Sequence, residues 1–525
     1  MPAITLSENM KFISLTASCI IYSIAFFIIF PYNKFNLDAD GIAYIQQAKQ
    51  YALGNYAVAL NGCWSPLIAW LLVPFIKLCV NPVLCCKYIN GILGLACIFS
   101  TYKLSVKFMI SEQYRIILMP FCSLIFLSYA FHLLGPDLLQ LLLLLFYLNF
   151  IFNKTLINSN PNLIFVGFIG ALCYYAKAYN FFFFIIHISL VIFLYSKYYY
   201  PNNYKNIFIR KLVLVLSVFL ICTAPYITLL SNKYQKFTIS TASAITLNKS
   251  LEPDFSDGRK LIVPPKDINA LSIADDPTFF QYKYISPFTS LHYFFKQIKI
   301  TLANFIEYSK LLNEISFLGI AIILGFVIYL NKNIFRNIAI TNNLLLFTLL
   351  IYPLGYILIA IEWRYIWIIP ILLLLMSGVL LNTFIDKLKI KTTLIISILI
   401  CLSFSVKPIM ELKAVNNLVE VNAIAKTLKE NNITGNFITS YNGWKTTSKS
   451  YEIAYLNDSK YFGLFSNKYT SNEIFDGAKF YNIKYFFYFY DSDFEKYNIL
   501  KSELSMRSIQ HFDNLYPGII IFQLN

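Results

Sequence analysis

Residues 12–44 read FISLTASCIIYSIAFFIIFPYNKFNLDADGIAY. No charge interrupts 12–31, and a membrane-spanning helix needs about 20 mostly apolar residues. No small-residue cleavage site follows, so the stretch reads as a retained span rather than a signal peptide. Two acids, Asp38 and Asp40, come directly after it.

The rest of the chain repeats the first half of that pattern. Of 525 residues, 58% are apolar and only 13% charged, where a soluble chain carries about 25% charge. Disordered, fibrous and small secreted classes are excluded. Further apolar stretches occur near 88–108, 115–134, 138–153, 162–178, 181–196, 212–230, 315–330, 338–360, 365–382 and 392–407. The expected fold is a polytopic α-helical membrane protein of about eleven spans. Pro66–Val80 is apolar but short, with Pro74 and Lys77 inside it, and reads as an interfacial or re-entrant helix.

The formal charge of +16 is assigned by position. One set of alternate short loops holds thirteen bases, among them Lys103, Lys107, Arg115, Lys154, Arg210, Arg336, Lys387 and Lys389; the opposite set holds only Lys177 and Arg364. Bases concentrate in cytosolic loops. The expected orientation therefore puts the long loop at 231–311 and the tail at 408–525 outside; the first loop at 32–87 is outside too with Pro66–Val80 lying on the membrane, and cytosolic if that segment crosses. The excess charge is a topology signal, so no nucleic-acid partner is expected. Most of the ten cysteines lie in apolar runs and the four histidines are scattered, which fits neither a disulfide framework nor a Cys/His metal site.

Domain organisation follows: a membrane domain over 1–407 and a soluble domain over 408–525. In the tail, Leu418, Val421, Ile424 and Leu428 mark a helix face ended near Asn431–Gly435. Asn436–Ser440, Ile483–Tyr490 and Gly518–Leu524 read as strands and Glu473–Tyr481 as a helix, a small α/β domain. It has no Gly-rich phosphate loop, so no nucleotide cofactor is expected.

Chemistry is sought where charge is expensive. Asp38 and Asp40 form a D-x-D pair that can hold a divalent cation or divide into base and stabiliser. Asp137 heads one span, a position that also suits an acid for the helix dipole. Lys177 ends another against the charge bias, where snorkelling is the plain explanation. Glu362-Trp363-Arg364-Tyr365 lies at a third junction, as an interfacial aromatic belt can. Together these residues suit a phosphate held by Lys or Arg while a carboxylate activates a nucleophile.

Their order resembles that of the GT-C glycosyltransferases, in particular family 39-like proteins such as protein O-mannosyltransferases and the aminoarabinose transferases of lipid A. The resemblance rests on Asp40-Gly41-Ile42-Ala43-Tyr44 with Ala48 and Gly54-Asn55-Tyr56, and on Cys63-Trp64-Ser65-Pro66-Leu67. Gly135-Pro136-Asp137-Leu138-Leu139, Gly170-Ala171-Leu172-Cys173-Tyr174-Tyr175-Ala176-Lys177 and Glu362-Trp363-Arg364-Tyr365 with Pro370 continue it. It covers about residues 1–400. Where some relatives place a Lys before the Pro of the juxtamembrane helix, this chain has Ser65, so no phosphate contact is carried over there.

The resemblance implies outer juxtamembrane helices and inverting transfer of a sugar from a polyprenyl-phosphate donor. The acceptor would be a glycan, lipid or protein on the outer face of a membrane, most simply a bacterial inner membrane. Asp40 would be the general base and Asp137 a second catalytic acid. Asp38, Tyr44, Lys177, Glu362, Arg364 and Tyr365 would bind substrate, and Asp38 with Asp40 a divalent metal if one is used. The competing reading, a transporter or lipid flippase, would use the same charges as a substrate path, but no inverted repeat is visible. A purely structural scaffold would leave the ordered polar sites without a purpose.

Overall fold

The computed structural model describes residues 8–252, 258–267, 269–280, 285–332, 340–384, 390–414, 419–440, 444–465, 469–489 and 494–524. Arg336, Asp386, Lys387, Lys389, Leu418 and Tyr490 lie outside them, as do 253–257 and 268 of the long loop. The chain forms two compact units, one of 1–35, 84–239 and 290–415, the other of 36–83, 240–289 and 416–525.

Helices are numbered along the chain. The first unit holds α1 (Glu8–Asn33), α5 (Pro82–Lys107), α6 (Glu112–His132), α7 (Asp137–Ile151), α8 (Asn160–Ala176), α9 (Asn180–Tyr199) and α10 (Tyr204–Tyr234). It continues with α12 (Leu291–Ile315), α13 (Gly319–Lys332), α14 (Ile340–Ile351), α15 (Leu354–Ile359), α16 (Ile368–Phe384), α17 (Ile390–Ser403) and α18 (Val406–Ala414). The expected apolar stretches fall on these helices, but 338–360 is divided between α14 and α15, with 338–339 outside the described residues, and 392–407 between α17 and α18.

Among the described residues, seven segments are long and apolar enough to cross a membrane, or nine if two bent pairs each count as one. The chain is thus an integral, multi-pass membrane protein. α7 and α8 are shorter, at 15 and 17 residues; α7 is about 22 Å long, against a hydrocarbon core of about 30 Å.

Burial separates inner from outer helices. The apolar window of Trp363–Thr383 is 83% buried, those of Ile13–Asn33 and Tyr204–Tyr234 only 28%. A helix apolar on every side can be enclosed by others, which is the place α16 takes. α8 and α9 pack closely at Gly170, where a Cβ would stand 2.4 Å from the Phe184 ring. Asn180 closes the corner between them, its Nδ2 donating to the carbonyls of Cys173 (2.9 Å) and Lys177 (3.1 Å).

The second unit holds α2 (Ala39–Ala52), α3 (Tyr56–Ala59), α4 (Leu67–Lys77), α11 (Ala242–Leu251), α19 (Val419–Glu430), α20 (Trp444–Leu456), α21 (Ser471–Tyr481) and α22 (Phe494–Arg507). Its strands are β1 (Phe437–Thr439), β2 (Tyr461–Phe462), β3 (Tyr485–Phe489), β4 (Gln510–Tyr516) and β5 (Ile519–Gln523). α4 has 11 residues, about 17 Å, too short to cross. This agrees with the interfacial reading of Pro66–Val80.

The five strands form one mixed sheet in the order β2-β1-β3-β5-β4. β1 pairs parallel with β2 and β3, whereas β5 pairs antiparallel with β3 and β4. All five residues of β3 are buried, as a central strand covered on both faces requires. One core face joins Ile438, Phe486, Phe522 and Ile474 to Leu261 and Val263 of the long loop. Ile262 and Gly463 exchange backbone hydrogen bonds of 2.8 and 2.9 Å, so the loop extends the domain that the tail sequence announces. α20, α22, β2 and β4 have no counterpart in the sequence reading. β4 is mostly polar and α20 carries Lys, Thr and Ser between its apolar residues, so neither shows a clean period.

Candidate functional site

In the first unit, four of the expected residues meet around one ring. Asp137 is the first residue of α7 and is 4% exposed. Lys177 follows the last residue of α8, and its Nζ lies 2.5 Å from Asp137 Oδ1. The same ammonium stands 4.2 Å from the centroid of the Tyr365 ring, and the Arg364 guanidinium 5.2 Å from it. Both cations thus lie over one electron-rich face system. Glu362 Oε2 accepts from Arg364 Nε at 2.7 Å, which fixes the guanidinium's direction.

The ring is itself buttressed. Tyr356 stacks on Tyr365 at 4.8 Å and Tyr179 on Tyr356 at 3.7 Å. Gln140, one turn after Asp137 on the same helix face, donates to Tyr352 Oη at 3.1 Å. Sequence reading missed Gln140, Tyr179, Tyr352 and Tyr356. Gln140 carried a signal: it is the one polar residue in the run Leu138–Phe146, and a polar side chain in such a run needs a partner.

In the second unit, Asp38 caps α2, its Oδ1 accepting from the Gly41 N–H at 2.7 Å. Asp40 lies in the first turn, where an acid complements the exposed N–H groups. Tyr44, expected to bind substrate, is 5% exposed and meets Trp64 edge-on at 5.2 Å. It holds α2 against the 61–66 turn. Gln47 reinforces the same contact by donating to the carbonyls of Ala59 (3.0 Å) and Trp64 (3.2 Å).

α2 packs on α20, and this brings together acids that the sequence reading did not connect. Tyr451 donates to Asp275 Oδ1, while Oδ2 accepts from the backbone N–H of Leu271 (2.6 Å) and Ser272 (3.1 Å). Burial pushes the Asp275 carboxyl up to about 6, against those hydrogen bonds and the charge of Lys49, which hold it down. Burial likewise raises Glu452 to about 7; its bond from Ser448 opposes this and the charge of Asp38 adds to it. Burial lowers Lys49, while Asp458 and Asp275 pull it back.

A raised acid favours the folded state while protonated. The contribution of Asp275 is therefore full below its ordinary 3.8 and lost as pH rises through about 6. Asp275→Asn keeps an acceptor for Leu271 and Ser272 but removes the buried charge. It is expected to raise stability by roughly 1–3 kcal/mol at pH 8 and by about half as much at pH 5, where that loss is already under way. Melting temperatures of wild type and variant at the two pH values check this; equal differences at both would refute it.

Among the described residues no three His, Cys, Asp or Glu side chains gather as a metal site. Asp38 and Asp40 alone supply two carboxylates, one already a helix cap, where a hard divalent ion takes six or more oxygens. The two residues do not make a metal site by themselves.

No family model and no curated protein matches the chain. Solved structures do. ArnT from Cupriavidus metallidurans, bound to undecaprenyl phosphate, is matched with a TM-score of 0.56 at 9% identity, over 99% of both chains. The Archaeoglobus fulgidus oligosaccharyltransferase in its apo form is matched at 0.52 and 12% identity, over 96% of this chain and 70% of that one. The same oligosaccharyltransferase in complex with Zn and sulfate gives 0.50 at 12% identity, over 91% and 68%. The fold is GT-C-like, as the order of motifs implied.

Proposed function

We propose that the protein is a membrane glycosyltransferase that moves a sugar from a polyprenyl-phosphate-linked donor to a glycan, lipid or protein acceptor outside the cytosol. The observation that carries this is the placing of Lys177 and Arg364 over the Tyr365 ring, with Asp137 bonded to Lys177. Two cations at the end of apolar helices suit a phosphate on a lipid tail. The likeness to ArnT, which binds undecaprenyl phosphate, supports the same donor class, and the family 39-like motif order supports its narrower form.

In this reading Asp40 accepts the proton of an acceptor hydroxyl. The acceptor oxygen forms a bond to the anomeric carbon as the bond from that carbon to the phosphate oxygen breaks, with inversion. The polyprenyl phosphate leaves with the electron pair, its charge met by Lys177 and Arg364. Asp137 orients Lys177, Glu362 orients Arg364, and Tyr365 carries both cations. Asp38 and Tyr44 hold α2, and so Asp40, in place. A divalent ion, if used, would be held by Asp38, Asp40 and oxygens of the donor, where it would neutralise phosphate charge. Mn²⁺ binding in the absence of donor is then expected to be undetectable.

Radiolabelled sugar supplied on polyprenyl phosphate should appear in a covalent acceptor product. Label that only crosses a vesicle wall would make the protein a transporter or flippase. Arg364→Ala should weaken polyprenyl-phosphate binding about 10–100-fold, the worth of a charge-assisted hydrogen bond of about 1.5–3 kcal/mol. An unchanged Kd would remove Arg364 from the phosphate.

A further inference from the structure

Beside Arg364, three hydrogen-bond donors have nothing to donate to. Among the described residues, Tyr129 Oη, Trp363 Nε1 and Trp367 Nε1 are each enclosed by protein and lack a hydrogen-bond partner. Tyr129 is fully buried and Trp367 is 2% exposed. The rings form one group: Tyr129 stacks on Trp367 at 4.1 Å in nearly parallel planes, and meets Trp363 edge-on at 6.0 Å. Buried Tyr and Trp usually find an acceptor for their polar edge, and a buried donor without one is costly. Purely apolar rings would make the same stack without that cost.

The group adjoins the candidate site along the chain. Trp363 directly precedes Arg364, and His132, whose ring lies 5.9 Å from that of Trp367, stands five residues before Asp137. Charged groups border it as well. On α18, which packs on α6, Glu411 Oε2 accepts from Ser128 Oγ at 2.7 Å, and its charge reaches the Tyr129 hydroxyl. Lys407 lies 4.2 Å over the Trp363 ring, and Glu314 holds its ammonium at 2.5 Å.

These groups select the chemistry of a ligand. Three donors require acceptors, whereas the Glu411 carboxylate can only accept. A phosphate would also only accept, and would meet Glu411 as a like charge. An isoprenoid chain offers neither. Hydroxyl groups do both.

We propose that Tyr129, Trp363, Trp367 and Glu411 hold the sugar of the lipid-linked donor through its hydroxyl and ring oxygens. The inference rests on the proposed function, in which Arg364 meets the phosphate to which that sugar is bonded. Phosphate and sugar then fall to consecutive residues, Arg364 and Trp363. The three donors are enclosed without ligand, so side chains turn as the sugar enters.

Undecaprenyl phosphate, bare or carrying glucose, N-acetylglucosamine or xylose, is titrated against the whole protein in detergent. At least one sugar form is expected to bind more tightly than the bare lipid. Tyr129→Phe keeps the stack and removes only the hydroxyl, so the melting temperature is expected to hold or rise. It should weaken that sugar form about 3–10-fold, the equivalent of one hydrogen bond, and leave the bare lipid within about twofold. Glu411→Gln, which keeps an acceptor for Ser128, should do the same. Equal Kd for bare and sugar-bearing lipid in the wild type overturns the inference. So does unchanged sugar binding in both variants, which would leave the donors to water. Equal losses for both lipids overturn it too, because the group would then only support Arg364. Binding of neither lipid by the wild type would end the proposed function, and the inference with it.

Discussion

Asp40→Asn is expected to lower kcat for sugar transfer by about 10³-fold, within the 10²–10⁴-fold range of a general base, and to leave donor affinity within about twofold. The asparagine keeps the size of the side chain and its place in the first turn of α2, so the helix is expected to form. Under the proposed mechanism, what it loses is the capacity to take a proton from the acceptor hydroxyl. Glu452 and Asp275 lie on elements of the same unit, and neither is expected to substitute. Asp275 is engaged by Tyr451 and two backbone N–H groups, and Glu452 by Ser448 at 3.0 Å. Single-turnover transfer with donor prebound is the measurement. Full activity in a variant that still inserts would end the assignment of Asp40 as base.

Lys177→Met should produce the second large effect, on stability and donor binding together. It leaves Asp137, 3% exposed in its side chain, without the ammonium that lies 2.5 Å away. Breaking a buried pair from one side costs about 3–5 kcal/mol. The double variant Asp137→Asn/Lys177→Met removes both charges and should recover most of that stability, yet none of the donor affinity. Thermal unfolding in detergent and donor titration separate the two outcomes. Recovered affinity in the double variant would mean that Lys177 serves the fold alone.

Much of this chain is legible one residue at a time. The span over 12–31, the bias of bases between loops and the cost of Lys177 or Asp137 near an apolar run all follow from transfer free energies that add along the sequence. The strands over 485–489 and 519–523 announce themselves through unbroken runs such as Tyr485–Phe489. Patterns without a clean period do not. α20 mixes Lys445, Thr446 and Ser448 with Tyr451 and Ile453, and only its packing on α2 and β1 shows why Thr446, Tyr451 and Ile453 are buried.

The candidate site divides the same way. Asp40, Asp137, Lys177 and Arg364 stand out in sequence because charge is costly there. Their partners do not: Lys177 meets an acid 40 residues before it and a ring nearly two hundred residues after it, and Asp275 meets Tyr451 across 176 residues. Sequence by itself determined the class of protein, where its apolar helices lie and which charges needed an explanation. Only the tertiary structure decided which of those charges face one another, turned Tyr44 inward and stacked Tyr129 on Trp367. Hydrophobicity is a property each residue carries wherever it goes, whereas a pairing across the chain exists only once helices from distant segments have packed.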